Sequence, residues 1–416
     1  MKYRTLGASG IRVPALGFGC MRLPLLPGRK DSKRRCAVDV PEAVRMMHYA
    51  FEHGVNYFDT AWGYHMGWSE VVLGKALRGM PRDKVMVTTK LPVWLAKKPA
   101  DFKRLLSTQL RRLGTDYLDF YFLHALNAKS FERVRQMGVL DFLDKAMRDG
   151  RIRHTGFSFH DEPAAFRPIV DAYDWSTCQI HYNVVDIHHQ AGQAGLRYAA
   201  KKGLGVIIME PLRGGDLAGF VAPGIKALWD NFPARRTPAE WALRWLWDQP
   251  EVSMVLSGMS AMQQVKDNVR YANRSRVGAL SKEELALVSR VQRAYRKLRG
   301  IPCTNCGYCM PCPSGVAIPR NFALYNDLFL FPGSDQARLM YRTWMAPANR
   351  ASACKECGKC ATRCPQQLAI PELLKKVHSA LATENRIELV PARPARKLRG
   401  FLKGIDTRVS RDDDRL

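Results

Sequence analysis

Up to about residue 280, short apolar runs rich in Val, Ile, Tyr and Phe alternate with longer segments whose apolar residues recur every three to four positions. The short runs predict buried strands, and the longer segments predict amphipathic helices that return across a parallel sheet. Eight strands are predicted, over residues 15–18, 55–58, 85–89, 117–123, 153–157, 177–181, 205–209 and 253–256. Eight strand-helix units of this total length are typical of an α/β fold, the (β/α)8 TIM barrel.

Three local signals agree with this pattern. Gly7-Ala8-Ser9-Gly10 forms a turn between two short predicted strands, and we expect this hairpin to close the bottom of the barrel. Thr237-Pro238-Ala239-Glu240 is a capping box with proline at the first helical position, so a helix is predicted over 238–247. Another helix is predicted over 40–53, with one apolar face formed by Ala43, Met46, Met47 and Ala50.

Eight of the eleven cysteines lie in two runs near the C-terminus. The second run has the C-x2-C-x2-C-x3-C-P pattern of two-cluster ferredoxins, and the first is one residue shorter between its third and fourth cysteines. In such proteins the first three cysteines of a run bind one cluster and the fourth binds the other. We therefore predict two 4Fe-4S clusters, one bound by Cys303, Cys306, Cys309 and Cys364 and the other by Cys354, Cys357, Cys360 and Cys312.

The two runs are copies of one unit, because Cys312-Pro-Ser-Gly-Val-Ala-Ile-Pro319 is echoed by Cys364-Pro-Gln-Gln-Leu-Ala-Ile-Pro371. The alternatives are two zinc sites of four cysteines each, or a disulfide framework. Zinc needs only pairs of C-x2-C, and disulfides suit an exported protein, yet no export signal is visible. Neither alternative explains the third cysteine and the Cys-Pro pair in each run.

These features predict four regions along the chain. A barrel over 1–285 is followed by a linker helix over 286–298 and by a small, mainly α-helical, ferredoxin-like domain over 299–382. Helical patterns at 320–330 and 336–344 lie between the cysteine runs of that domain. A basic, flexible tail is predicted over 383–416.

The net charge of +27 and the pI of about 9.9 indicate an acidic protein partner or a phosphorylated cofactor. Basic residues are spread along the chain without a recognition helix or an aromatic-interleaved stripe, so nucleic acid is not expected. The densest basic runs are 29–35 and 393–403. No apolar segment is long enough to span a membrane, and we expect a cytoplasmic protein in which Cys20, Cys36 and Cys178 remain free thiols.

Chemistry in a TIM barrel lies at the C-terminal ends of the strands, where four polar residues are found. Asp59 follows the second predicted strand, Tyr64 comes five residues later, Lys90 ends the third strand and His124 the fourth. An ammonium near a tyrosine favours the phenolate and lowers the phenol pKa. We expect Asp59 to pair with Lys90, Tyr64 to donate a proton, and His124 to hydrogen-bond the substrate oxygen.

Over about residues 1–280 the sequence resembles the aldo-keto reductase family, through Asn56-Tyr-Phe-Asp59-Thr60-Ala61-Trp-Gly-Tyr64, Thr89-Lys90, Phe122-Leu123-His124 and Gly156-Phe-Ser158. The resemblance implies a nicotinamide cofactor and a small carbonyl or alcohol substrate. It implies cofactor contacts by Ser158 and Gln179 at the carboxamide, by Glu210, Leu212 and Gly214 near the pyrophosphate, and by Ser257, Met259, Gln264 and Asn268 at the adenosine end.

The sequence departs from the family pattern at the cofactor site. Phe159 stands where the family usually has asparagine, and Met209 replaces the tyrosine that stacks on nicotinamide in many members. The family's basic Lys-Ser segment reads Ser257-Gly258-Met259-Ser260. The choice between NADPH and NADH therefore stays open, and a barrel can also bind flavin mononucleotide without a sequence fingerprint.

The barrel followed by a cluster domain resembles the ferredoxin-containing branch of the aldo-keto reductases. The leading hypothesis is an NAD(P)H-dependent oxidoreductase whose clusters exchange electrons with an acidic ferredoxin or flavodoxin. The second hypothesis is a carbonyl reductase whose cluster domain is only structural or a docking module. The third is a non-catalytic electron-transfer subunit in which the barrel only senses nicotinamide.

Overall fold

The computed structural model describes residues 1–29, 36–303 and 305–383. The predicted basic run at 29–35 lies outside these residues except for Arg29, and the run at 393–403 lies outside them entirely. The strands are β1 Tyr3–Thr5, β2 Arg12–Pro14, β3 Leu16–Gly19, β4 Tyr57–Asp59, β5 Met86–Leu91, β6 Leu118–Leu126, β7 Ile152–Phe159, β8 Thr177–His181, β9 Gly205–Met209 and β10 Val252–Gly258.

Strands β3 to β10 form a closed barrel in chain order, and every neighbouring pair is parallel. The predicted TIM barrel is therefore confirmed. Its strands were recognisable in the sequence because parallel strands are buried on both faces and read as continuous apolar runs. Strands β1 and β2 pair antiparallel as a separate hairpin. All eight carboxyl ends of the barrel strands meet at one rim, where a functional site is expected.

Helices follow the barrel strands in turn and continue through the C-terminal part of the chain. They are α1 Val40–Glu52, α2 Trp68–Leu77, α3 Ala100–Leu113, α4 Ala128–Gln136, α5 Val139–Arg148, α6 Pro163–Asp171, α7 Gly192–Lys201, α8 Asp216–Gly219, α9 Pro223–Asp230, α10 Pro238–Trp247, α11 Met262–Asn273, α12 Lys282–Lys297, α13 Ile318–Leu330, α14 Gln336–Leu339 and α15 Ile370–Ala382. The predicted helices at 40–53 and 238–247 are both confirmed. Asp39 starts α1 by accepting a hydrogen bond from the Glu42 N–H at 3.1 Å.

The hairpin of β1 and β2 contacts the N-terminal end of β9, as predicted for a plug at the barrel bottom. Leu6 and Val13 from this hairpin are fully buried and share one apolar cluster with barrel side chains. The barrel members of that cluster are Tyr57, Phe120, Phe122, Ile207, Met254 and Leu256. The Ala8 N–H donates to the Gly203 carbonyl at 2.7 Å, so the hairpin is also held by backbone hydrogen bonding.

By internal contacts, the described chain divides into two compact units. One contains Met1–Gly214 and Ala239–Lys282, and the other contains Gly215–Pro238 together with the described residues from Glu283 onward. In the second unit, Ser334 Oγ donates to Asp216 Oδ1 at 2.7 Å, and Arg236 pairs with Glu284 at 2.6 Å. Sequence periodicity does not predict this grouping. The predicted domain boundary at 285 falls inside α12, and it stays a prediction.

The second unit, called the C-terminal unit below, has its own apolar core, built mainly from α13 and α15. The core residues are Ile301, Val316, Ile318, Phe322, Leu324, Tyr325, Ala337, Tyr341, Ala351, Ile370, Leu374, Val377 and Leu381, and six of the eight clustered cysteines pack against them. The predicted helices at 320–330 and 336–344 appear as α13 and as α14 followed by a π-helical turn over Met340–Trp344.

Among the described residues, no helix combines the length and the apolar character that a bilayer span requires.

Gly7 is predicted to be the residue that the barrel plug tolerates least. It has a φ of 55°, and a Cβ at this position would lie 2.2 Å from the Gly203 carbonyl oxygen. We expect Gly7→Ala to lower the free energy of unfolding by about 3 kcal/mol or more, because backbone must move as well as adopt a strained φ. The measurement is urea denaturation followed by tryptophan fluorescence.

Gly10→Ala is the matched control, since Gly10 has a φ of 73° and open space around its Cβ position. This variant carries only the conformational cost of about 1–2 kcal/mol. Equal losses in the two variants would contradict the close packing of the plug.

Candidate active site

A buried ion pair lies at the C-terminal ends of β4 and β5. Lys90 Nζ donates to Asp59 Oδ1 at 2.5 Å and to the Thr60 carbonyl at 2.9 Å, and both charged side chains are at most 1% exposed. Asp59 ends β4, and the parallel pairing of Asp59 with Thr88 brings Lys90, two residues further along β5, next to it. The predicted pairing of Asp59 with Lys90 is therefore present in the structure.

Tyr64 lies in the short turn Tyr64–Gly67 that follows β4, and its ring lies beside the ammonium of Lys90. The distance from Lys90 Nζ to the centroid of the Tyr64 ring is 5.1 Å. The Tyr64 and His124 rings are 6.0 Å apart and nearly perpendicular, at 84°. The structure thus brings all four predicted side chains together at adjacent strand ends, and their catalytic roles stay predictions.

The turn that carries Tyr64 has an unusual backbone. His65 and Met66 adopt left-handed conformations, with φ of 49° and 56°, which non-glycine residues rarely occupy. The Leu23 N–H donates to His65 Nε2 at 3.1 Å, which anchors this turn to the segment after β3. Strained backbone of this kind persists where surrounding contacts over-determine it, and here those contacts fix the position of Tyr64.

His124 lies at an irregularity in β6. The register between β6 and β7 shifts between Leu123 and Leu126, and Ala125 has a φ of 54°. A bulge re-aims the side chains beside it, and Ser158 Oγ stabilises this one by accepting the Ala125 N–H at 2.7 Å. His124 Nδ1 is buried without a hydrogen-bond partner among the described residues, and the Trp94 ring lies 5.1 Å from the imidazole.

Burial and neighbouring charges set the protonation states of these groups. Burial lowers the pKa of Lys90, but the combined effect of Asp59 and Tyr64 raises it by more. The pKa therefore lies above its ordinary value, and the side chain is charged. Burial lowers the pKa of His124 well below its ordinary value, and Lys90 and His160 add to the effect, so this imidazole is neutral at pH 7. A neutral imidazole has one nitrogen that donates a hydrogen bond and one that accepts.

The pKa of Tyr64 differs from the sequence expectation. Lys90 lowers this pKa, as predicted, but burial raises it by more, so the pKa lies above its ordinary value. The expected net lowering is therefore wrong for this structure, because a phenolate in a poorly solvated site is disfavoured even beside an ammonium. Tyr64 is accordingly a protonated phenol, which is the form that donates.

The two predicted carboxamide contacts lie on β7 and β8, next to the ion pair. Gln179 Nε2 lies 3.4 Å from Asp59 Oδ2, and Ser158 holds the β6 irregularity. Phe159, which replaces the family's asparagine, is fully buried and packs edge-on against Phe166 at 5.0 Å. It therefore offers apolar contact rather than a hydrogen bond at this position.

The loop after β9 contains the predicted pyrophosphate contacts Glu210, Leu212 and Gly214. Glu210, Arg213 and Gly214 all have positive φ, and Asn183 Nδ2 donates to the Glu210 carbonyl at 3.1 Å. Arg213 Nε pairs with Asp186 Oδ2 at 2.9 Å. The loop is thus preformed, and side chains that follow β8 hold its backbone.

The predicted adenosine contacts lie at the end of β10, in the loop that follows it and in α11. Asn268 Nδ2 donates to Ser257 Oγ at 3.1 Å, and Gln264 Oε1 accepts the Ser260 N–H at 2.8 Å. Met259 is fully buried, so its side chain belongs to the packed interior. A ligand contact at that position would therefore come from the Met259 backbone.

Sequence reasoning missed a buried polar layer behind Lys90. Gln109 on α3 donates to the Lys90 carbonyl at 3.0 Å, to Thr89 Oγ1 at 3.0 Å and to Glu70 Oε1 at 2.6 Å. Glu70 also pairs with Arg112 at 3.0 Å. Gln109 lies in mid-helix without any local signal, whereas Asn183 follows β8 and obeys the strand-end rule that identified Asp59.

The eight clustered cysteines form two groups in the C-terminal unit. One cavity is lined by Cys303, Cys306, Cys309 and Cys364, together with apolar side chains such as Phe322 and Ile370. Burial raises the pKa of Cys360, and Cys354 and Cys312 raise it further, so these sulfurs are electrostatic neighbours. The position of Cys364 in the first group and of Cys312 beside Cys354 and Cys360 is the arrangement expected if the fourth cysteines are exchanged, and the two ligand sets stay predictions.

The sulfurs of the clustered cysteines lie close enough to influence one another. All eleven cysteines are free, and no three metal-ligating side chains among the described residues converge on a single-ion position. Burial raises the pKa of Cys309 to about 11, and Cys303, Cys306 and Cys360 add to the shift. These groups are therefore neutral thiols in the absence of a ligand, and metal binding would require their deprotonation.

Two buried asparagines of α13 position both cysteine loops. Asn326 exchanges hydrogen bonds of 2.8 and 2.9 Å with the backbone of Ile301, two residues before Cys303. Asn321 Oδ1 accepts the Ala351 N–H at 2.8 Å, three residues before Cys354. One helix therefore sets the start of each loop.

The profile of the Aldo/keto reductase family matches residues 15–231, which is more than half of the chain. The chain belongs to this family. The profile of the 4Fe-4S dicluster domain matches residues 302–369. The resemblance and the two-part organisation predicted from sequence are therefore confirmed.

Relatives of this aldo-keto reductase match about two thirds of the chain. The NADH-specific methylglyoxal reductase of Escherichia coli is 27% identical over 66% of this chain and 94% of its own length. The L-galactose dehydrogenase of Arabidopsis thaliana is 27% identical over 72% and 96%. Both named relatives are oxidoreductases, and the chain is an oxidoreductase of the same family.

Solved structures give the same result for the fold. The holo form of an aldo-keto reductase from Bacillus halodurans is 27% identical, with a TM-score of 0.58 over 70% of this chain and 96% of that one. A Klebsiella pneumoniae aldo-keto reductase in complex with NADP and acetate is 25% identical, with a TM-score of 0.55 over the same shares.

The buried ion pair predicts that substitutions of Lys90 and Asp59 have strongly non-additive effects on the free energy of unfolding. Lys90→Met leaves the Asp59 carboxylate buried without a partner, and we expect the free energy of unfolding to fall by about 3–5 kcal/mol. Adding Asp59→Leu should restore most of that loss, because both charges are then gone. A double-mutant cycle from urea denaturation measures the coupling, and additive losses would show that the pair is not coupled.

The cysteine grouping predicts which variants share a cluster. Cys303→Ala and Cys364→Ala should each remove about half of the iron, and combining them should remove no more, because both remove ligands of one cluster. Cys303→Ala with Cys312→Ala should remove nearly all of it. Iron content of anaerobically reconstituted protein decides, with Cys178→Ala on β8 as the control. Equal iron in the two double variants would contradict the exchange of the fourth cysteine.

Proposed function

We propose that this protein is an NAD(P)H-dependent oxidoreductase that transfers hydride between nicotinamide and a small carbonyl or alcohol, with Tyr64 as the proton donor. The C-terminal unit carries two 4Fe-4S clusters for electron transfer. The observation that carries the proposal is the buried pair of Lys90 and Asp59, with its ammonium 5.1 Å from the Tyr64 ring. A charged lysine beside a protonated phenol is the arrangement that general acid catalysis on a carbonyl requires.

In the reducing direction, a bound nicotinamide supplies hydride to the carbonyl carbon. Tyr64 breaks its O–H bond and gives the proton to the carbonyl oxygen, so that an alcohol forms. Lys90 stabilises the phenolate that remains until a proton from solvent restores it. Neutral His124 orients the carbonyl oxygen by hydrogen bonding, and the half-exposed Trp94 beside it gives the substrate an apolar wall.

The proposed cofactor contacts are Ser158, Gln179, Glu210, Leu212, Gly214, Ser257, Gln264 and Asn268, with Met259 contributing backbone. Support comes from the relatives, because one is named as NADH-specific and another is seen with NADP. Neither relative decides the preference of this chain. We propose that NADH binds at least as tightly as NADPH, because the segment 257–260 has no basic side chain for a 2′-phosphate.

The clusters serve electron transfer rather than architecture alone in this proposal. Cys306 and Cys357 are exposed, so their groups are within reach of a partner protein. Hydride carries two electrons, whereas an iron-sulfur cluster accepts one at a time, so exchange with nicotinamide needs an intermediary such as flavin mononucleotide. The external partner that we propose is an acidic ferredoxin or flavodoxin, given the net charge of +27.

Tyr64→Phe is the test of the catalytic proposal. We expect kcat for methylglyoxal reduction to fall by a factor of about 100 to 10,000, because the proton donor is removed. The dissociation constants for NADH and NADPH, measured by fluorescence, should stay within a factor of about three. Tyr198→Phe, in a partly exposed tyrosine that hydrogen-bonds Asp171, is the control. Unchanged turnover in Tyr64→Phe would show that Tyr64 is not the proton donor.

The pH dependence of carbonyl reduction follows from the two shifted groups. Tyr64 donates while it is protonated, so activity is present below its raised pKa and is lost only as the pH rises beyond 10. Neutral His124 persists down to its lowered pKa, so no loss is expected as the pH falls through 6.5. The measurement is kcat/KM against pH, and an acidic limb near 6.5 would contradict a neutral buried His124.

A further inference from the structure

The two cysteine loops of the C-terminal unit have the same local backbone. Asn305 and Glu356 occupy matching positions, with φ of 57° and 53°, and each donates its N–H to the sulfur two residues earlier, at 3.5 and 3.4 Å. Gly307 and Gly358 also match, with φ of 77° and 72°. Because the backbone is repeated, the loops differ mainly in the side chains that they expose.

The loop 354–364 is cationic. Lys355, Lys359 and Arg363 are exposed, and in the part of the chain that the structure describes none of them has a carboxylate partner. The only carboxylate in the loop sequence, Glu356, is already paired with Lys375 at 2.7 Å. Three cations therefore remain available around the exposed Cys357.

The loop 303–312 presents the opposite surface. It contains no Asp, Glu, Lys or Arg, and its large exposed side chains are Tyr308 and Met310. Matching positions in the two loops thus hold Tyr308 and Lys359. The charge belongs to one cysteine group and is not a general property of the fold.

We propose that the loop 354–364 is the docking surface for an acidic one-electron carrier protein. The electron enters or leaves through the group of Cys354, Cys357, Cys360 and Cys312. Unpaired exposed cations steer an acidic protein and raise its association rate by a factor of about 10 to 1,000 at low ionic strength. In the step, the reduced carrier loses one electron and the cluster gains one, with no bond or proton transferred. The inference rests on the proposed redox role of the clusters.

The test uses full-length reconstituted protein in anaerobic stopped flow, with a prereduced acidic bacterial-type ferredoxin as the probe. The variant is Lys355→Gln, Lys359→Gln, Arg363→Gln in one chain. The control is Lys103→Gln, Lys129→Gln, Lys201→Gln, which removes the same charge from exposed positions of the barrel unit. Methyl viologen radical cation serves as a second reductant, because a cation gains nothing from a cationic docking surface.

We expect the second-order rate of cluster reduction by ferredoxin to fall at least about ten-fold in the loop variant, and its salt dependence to weaken. The control variant should keep the wild-type rate with ferredoxin, and viologen, which is itself a cation, should reduce the loop variant at least as fast as the wild type. Equal slowing in both triple variants, or none in the loop variant, overturns the docking surface.

Failure of the underlying function gives a different result. Clusters that viologen reduces but ferredoxin does not, at any ionic strength, overturn the docking surface and leave the redox role intact. Clusters that neither reductant can reduce overturn the redox role itself. Methylglyoxal turnover with NADH or NADPH, measured on the same samples, reports the barrel chemistry independently of both outcomes.

Discussion

The candidate active site depends on one buried charge pair. Lys90 and Asp59 are desolvated, and an ammonium in that position is stable only while its carboxylate partner is in contact. The pair fixes a positive charge beside the Tyr64 ring and lowers the pKa of that phenol against the effect of burial, and Lys90 adds to the burial that keeps His124 neutral. Gln109 and Glu70 support it from behind through the backbone of Lys90 and the side chain of Thr89. Removing one member therefore alters the chemistry of every other group.

The strands of the barrel were accessible to sequence reasoning because their signal is local. Continuous short runs of Val, Ile, Tyr and Phe are typical of parallel strands that are buried on both faces. The bounds of β5 to β10 accordingly agree with prediction within a few residues. The strand-end rule then brought Asp59, Lys90 and His124 to one rim. Tyr64 followed because its loop is short enough to keep it beside β4.

Other parts of the site were not accessible, and the reasons are physical. Whether burial or Lys90 decides the pKa of Tyr64 depends on three-dimensional solvation, which no spacing in the sequence encodes. The anchor between Leu23 and His65 joins residues 42 positions apart, and Gln109 acts from the middle of α3. The buried asparagines of α13 are equally silent in sequence, although they set the start of both cysteine loops.

The grouping of Gly215–Pro238 with the C-terminal unit means that, within residues 1–383, the polypeptide passes between the two units at Gly214, at Pro238 and at Lys282. The cluster-bearing part is therefore interwoven with the barrel sequence rather than appended to it. A shortened protein ending near residue 282 would leave Asp216 and Arg236 without Ser334 and Glu284. The loop of Glu210 and Gly214 leads directly into the segment Gly215–Pro238, which would have lost these partners. Inactivity of such a fragment would therefore reflect a disrupted fold and would not test electron transfer.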